Sequence, residues 1–174
     1  MKSIFFKSSF LGLVALLFLS NSSFAQGLFF ECIYDETLSQ ASYVIGDAQT
    51  KEVIVIDPKR DIDTYLQIAE KHNLKITKIT ETHIHADFLS GSRELAAVTK
   101  APLYLSDEGG KDWQYDFPHT GLKDGDKISV GSITIEIIHT PGHTPESLTF
   151  LVNDGTKNPI KAITGDFIFV GDVG

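Results

Sequence analysis

The chain has 174 residues, 42% hydrophobic and 22% charged, a balance that suits a packed globular domain. Asp and Glu outnumber Lys and Arg by 23 to 15, for a net charge of -8, which argues against a nucleic-acid partner because phosphate binding needs clustered cations. Cys32 is the single cysteine, so no internal disulfide can form in any compartment.

Lys2 and Lys7 open the chain, Phe10 to Leu19 is almost wholly apolar, and Ser23-Phe24-Ala25 offers small residues at the two key positions of a cleavage site. Residues 1–25 therefore read as a secretory signal peptide cleaved near Ala25, which would leave residues 26–174 as one secreted or periplasmic domain. The apolar run is shorter than the ~20 residues that an ordinary spanning helix needs. Leu28–Tyr34, Ser42–Ile45 and Glu52–Ile56 predict strands, the third apolar on both faces and hence central. Cys32, among Phe29, Phe30 and Ile33, is expected to be a small buried residue. Asp61 or Asp63 is placed to cap a helix that runs to His72, with Ile62, Tyr65, Leu66 and Ala69 on one face and Asn73 at its end.

Lys75–Thr82 predicts a further strand, and Ser90-Gly91-Ser92 precedes a helix through Leu95, Ala96 and Val98. Ala101–Leu105 reads as a short strand and Gly109 to Gly121 as irregular, with Trp113, Tyr115 and Phe117 expected to pack rather than line a substrate mouth. Lys127–Val130 and Ile133–His139 make a hairpin around Gly131-Ser132. Leu148–Val152 and Ile160–Thr164 are the next strands, and the apolar run Phe167–Val170 is a last strand signal before Gly174. Mixed strands and helices of this kind predict an α/β layered sandwich, and an end without a terminal helix reads as a C-terminally truncated domain.

Chemistry-bearing residues collect in three loops, each after a predicted strand. His83-Ile84-His85-Ala86-Asp87 supplies two imidazoles and a carboxylate. His139-Thr140-Pro141-Gly142-His143-Thr144 adds imidazoles on a turn that Pro141 and Gly142 can set, and Thr164-Gly165-Asp166 adds a carboxylate after another glycine. A lone loop histidine is more often solvated than ligating, but three such loops together point to a metal. His83, His143 and Asp166 form a two-histidine, one-carboxylate set that leaves open positions on non-haem Fe(II). Adding His85 gives a set that zinc also accepts, so donor type leaves Fe(II) and Zn(II) both open. Phe88 stands where a second metal's ligand would be expected, and a benzyl group cannot donate, so one metal per chain is expected. Asp87 is the candidate to orient His83 or a water at the metal. Thr144 is expected to support the His143 loop and His139 to bond at its strand end, with His72 a cation at the helix C-terminus and His119 on a surface loop.

With these loops in this order, Thr82–Gly91 (THIHADFLSG), His139–Thr144 (HTPGHT) and Thr164–Gly174 (TGDFIFVGDVG), the chain resembles the metallo-β-lactamase superfamily over essentially all of its mature part. Within it the motifs look closest to the persulfide dioxygenase branch, with its often rhodanese-fused relatives; glyoxalase II is the nearest hydrolytic cousin. The resemblance implies an αββα sandwich with the metal at one edge of the two sheets. It implies one Fe(II) on His83, His143 and Asp166, with His85 as a neighbouring or weak fourth group and His85 and Asp87 as the catalytic candidates. The implied reaction is oxidation of a glutathione-type persulfide by dioxygen to sulfite and thiol, with a rhodanese domain or protein as partner. A zinc-dependent (thio)ester hydrolase is the alternative, and a non-catalytic metal-binding fragment the second. Dinuclear hydrolases of the superfamily carry His at the position of Phe88. The family pattern also continues past Gly174 with an Arg-containing segment that is thought to hold the thiol substrate's carboxylate, so the domain reads as incomplete at its C-terminus.

Overall fold

The computed structural model describes residues 27–156, 158–169 and 171–173, so the expected leader lies outside the described residues. Leu28–Asp35 (β1), Gln40–Asp47 (β2) and Glu52–Ile56 (β3) form an antiparallel meander. Helix Asp63–His72 (α1) crosses from β3 to the parallel strand Lys75–Thr80 (β4). Helix Ser92–Thr99 (α2) makes the next crossover, to Leu103–Ser106 (β5), and Thr120–Leu122 (β6) adds the last parallel strand. These six strands lie in the order β1-β2-β3-β4-β5-β6. A second, antiparallel sheet contains Lys127–Val130 (β7), Ile133–His139 (β8), Leu148–Asn153 (β9) and Lys161–Ile163 (β10), in the order β10-β9-β8-β7. A 3-10 turn at Gly165–Phe167 leads into the short ribbon Ile168–Phe169 (β11) and Asp172–Val173 (β12).

The layering follows from the two faces of β3. Successive side chains of a strand point to opposite sides. Val53 and Val55 join the core under the helices, with Tyr65, Ile68, Ile79 and Leu95. Ile54 and Ile56 join the core between the sheets, with Ile135, Ile137, Leu148 and Phe150. All four β3 side chains are fully buried, each worth ~1.5–3 kcal/mol of transfer free energy. The described residues thus stack as helices, mixed sheet and antiparallel sheet, three successive layers of the expected αββα sandwich. No helix among them is long and apolar enough to cross a membrane.

Some local expectations need correction. Neither Asp61 nor Asp63 caps α1; Ile62 occupies the cap position without a side-chain bond, and Asp63 sits in the first turn, where its charge favours the helix dipole. Asn73 does end the helix, in a left-handed conformation at φ 53. Thr120 and Gly121, expected to be irregular, belong to β6 because pairing with β5 supplies the order that Thr-Gly-Leu does not signal. Cys32 is exposed rather than buried. It lies on β1, an edge strand on which no side chain is fully buried.

The topology gathers the polar loops. β3 and β4 are parallel, so the loops after them leave at the same end of the sheet. The Leu148 N–H, at the start of β9, donates to the Thr82 carbonyl at 2.7 Å, which stitches the second sheet to that end.

Candidate metal centre

His83, His143 and Asp166 converge from three loops, with one ligand atom of each within 4.8 Å of the others. Nε2 of His143 lies 3.6 Å from Oδ2 of Asp166, and Nε2 of His83 lies 4.0 Å from the same oxygen. The two imidazoles meet edge-on, at 88° and 4.9 Å between centroids. His83 is 2% exposed, whereas His143 lies open to solvent, so the cluster opens to one side. Gly165 allows this approach. Its φ is +51, and a Cβ there would stand 2.6 Å from Thr82 Oγ1.

A buried polar layer stands behind the three groups. Asp57 ends β3 in a left-handed conformation, φ 51, which costs a non-glycine residue about 1–2 kcal/mol. Its Oδ1 accepts from the Thr82 N–H at 2.6 Å, and its Oδ2 accepts from the Thr82 hydroxyl at 2.8 Å. That hydroxyl has no second proton to give. At its 2.9 Å contact with His83 Nδ1 it must therefore accept, which puts the His83 proton on Nδ1. The Nε2 lone pair, on the Asp166 side, is left free. Burial, and after it the neighbouring His85, holds the His83 pKa below its ordinary value, so the neutral form that ligates metals is favoured.

His85 occupies a second cluster, with Asp57 and Glu81. Its Nε2 lies 3.2 Å from Asp57 and 3.3 Å from Glu81. Burial by itself would lower its pKa, but Asp57 and then Glu81 outweigh that and raise it to about 10. Glu81 is pushed up from the usual carboxylate range, chiefly by burial, and accepts a hydrogen bond from the Ser90 hydroxyl. The His85 ring also lies 4.1 Å from that of His83 and 4.4 Å from that of Phe88.

A cavity of about 320 Å³ adjoins both clusters, with Tyr34, Tyr43, Phe88 and Phe169 among its apolar walls and Asp87 and Asp166 at its polar side. Asp87 is exposed, and among the described residues it makes no hydrogen bond to His83; Thr82 performs the orientation that the sequence assigns to Asp87. Tyr115, Phe117 and His119 pack on one another away from this cavity, consistent with a packing role. Thr144 supports the His143 loop through its 2.6 Å contact with Ser147 Oγ. His139 bonds the Pro145 carbonyl at 2.8 Å, His72 lies 3.9 Å from Glu31, and His119 lies 3.2 Å from Asp107.

Asp57, Glu81 and Thr82 were not singled out by sequence reasoning. The usable signal was an acid placed directly after an apolar strand, at Asp57 and again at Glu81. Two imidazoles, one of them held neutral in a defined tautomer, and a carboxylate fit a single Fe(II) or Zn(II), and Phe88 adds no donor.

The family profile described as Metallo-beta-lactamase superfamily matches residues 36–174. The mitochondrial persulfide dioxygenase ETHE1 of Bos taurus is 30% identical over 141 residues, covering 76% of this chain and 50% of its own length. Glyoxylase B2 of Dictyostelium discoideum is 28% identical over 159 residues, covering 75% and 53%. A crystal structure of a metallo-beta-lactamase from Staphylococcus aureus subsp. aureus COL superposes with a TM-score of 0.82 at 45% identity, covering 85% of this chain and 44% of that one. The chain spans about half the length of these curated relatives.

Proposed function

Because the chain belongs to the metallo-beta-lactamase superfamily, whose members are metal-dependent enzymes, we propose that it holds one Fe(II) on His83, His143 and Asp166 and acts as a persulfide dioxygenase. Phe88 carries this reading. Its ring packs on His85 in place of a donor, which supports a one-metal site over a two-metal hydrolase. The reaction would be R–S–SH + O2 + H2O → R–SH + SO3²⁻ + 2 H⁺. Bound Fe(II) would supply the redox-active centre at which sulfur and dioxygen react. The Asp57–Thr82–His83 chain keeps the His83 Nε2 lone pair available. His85, held by Asp57 at 3.2 Å and Glu81 at 3.3 Å, gives the cavity a fixed imidazole beside the ligand set that is placed to meet the substrate. The Asp87 carboxylate, open to solvent at the cavity, is placed to exchange protons with substrate. Export directed by residues 1–25 would place this chemistry outside the cytoplasm, and a rhodanese domain or protein would be the partner that shares its persulfide.

The test is metal analysis of the full chain together with oxygen uptake on glutathione persulfide. About one iron per chain with sulfite release is expected, and His83→Ala, His143→Ala and Asp166→Ala should each lose metal and activity. Bound zinc with thioester cleavage and no oxygen uptake would instead establish a hydrolase.

A further inference from the structure

Glu146 lies three residues beyond His143 and is fully buried, 0% exposed. Its Oε1 accepts the N–H of Ile84 at 2.6 Å, across 62 residues of chain. Ile84 is the residue between His83 and His85. We propose that Glu146 is a positioning residue that sets the spacing of the metal ligands by clamping the Ile84 amide; the inference rests on the metal reading above.

The loop that carries Glu146 is itself braced. Thr140 N–H donates to the Ser147 carbonyl at 2.9 Å, and the Thr144 and Ser147 hydroxyls meet at 2.6 Å. His143 therefore sits on a fixed platform, and Glu146 extends from the same platform to the opposite loop. Leu148 N–H holds the Thr82 carbonyl from that side as well. Both backbone neighbours of His83 are thus gripped by the segment that bears His143. Gly109 packs against the clamp so closely that a Cβ there would stand 2.7 Å from that of Glu146, and its φ of +80 favours glycine.

Energetics point the same way. Burying a carboxylate is costly, so packing alone does not account for Glu146 at this position. Among the described residues the second oxygen, Oε2, has no hydrogen-bond partner, so the net contribution to stability is poor. What leucine could not supply is an acceptor at the Ile84 amide.

Co(II) binding to the full chain, read from its d–d absorption and by competition with a chelator, separates geometry from charge and from folding. Glu146→Gln keeps the acceptor and should bind Co(II) within about threefold of wild type. Glu146→Asp keeps the charge but cannot reach Ile84, and Glu146→Leu removes the acceptor; both should weaken Co(II) by roughly 10–100-fold, the usual effect of losing an outer support of a metal ligand. Metal-free Glu146→Asp and Glu146→Gln should both keep the far-UV circular dichroism spectrum of wild type, so that lost Co(II) affinity confined to Glu146→Asp reports ligand geometry and not unfolding. Wild-type affinity in Glu146→Asp and Glu146→Leu would overturn the clamp, as would a Glu146→Gln as weak as Glu146→Leu. If Glu146→Leu does not fold, Glu146→Asp against Glu146→Gln decides. His83→Ala runs in parallel: wild-type Co(II) affinity there would overturn the metal reading and the clamp with it, whereas lost affinity in His83→Ala beside wild-type affinity in Glu146→Asp would overturn the clamp alone.

Discussion

The Thr82 hydroxyl takes part in two hydrogen bonds whose directions depend on each other, donating to Asp57 Oδ2 and accepting from His83 Nδ1. Thr82→Val removes both, leaves a buried carboxylate oxygen short of a donor and releases His83 to the other tautomer. Metal affinity should fall by about 10–100-fold, while Thr82→Ser, which keeps the hydroxyl, should stay near wild type; titration calorimetry compares the two. This scale also divides what the sequence displays from what it hides. The candidate donors His83, His143 and Asp166 are legible because three loops after predicted strands each carry an imidazole or a carboxylate, a coincidence that one such loop alone would not make. Thr82 and Glu146 act through other residues, and Glu146 meets its partner only after the chain has folded across 62 positions. No local pattern encodes that pairing. Cys32 misled for the converse reason: apolar neighbours do not bury a side chain on an edge strand.

At the level of elements, β3 is packed on both sides, because its two faces serve two cores. Ile54→Ala should therefore cost about 2–5 kcal/mol in urea unfolding. Val98→Ala on α2, where the side chain is 56% exposed, should stay within about 0.5 kcal/mol. The same contrast explains which elements are legible. β3 follows from its continuous run of β-branched apolar residues, the β7–β8 hairpin from alternation and turn residues, and α1 from its apolar face. β6 has only three residues and no alternation, and exists through its partner β5. The start of α1 escapes because Ile62, with no capping side chain, does the work of a polar residue.

For the molecule as a whole, the candidate site lies where the ends of two sheets meet, and no single sheet contains it. The Ile84–Glu146 bond joins those sheets over 62 residues, so its formation carries a large loop-closure entropy and belongs among the slow, non-local contacts of folding. Neither the β1–β3 meander nor the β7–β9 meander contains the ligand set by itself. Metal should consequently leave the refolding rate of the chain unchanged in stopped-flow experiments while slowing its unfolding, because the ion stabilises a state that lies beyond the transition state. On the proposed reading the clamp would also be a kinetic checkpoint: an immature chain would offer scattered weak donors, and retention of an ion would begin only once the two halves had docked.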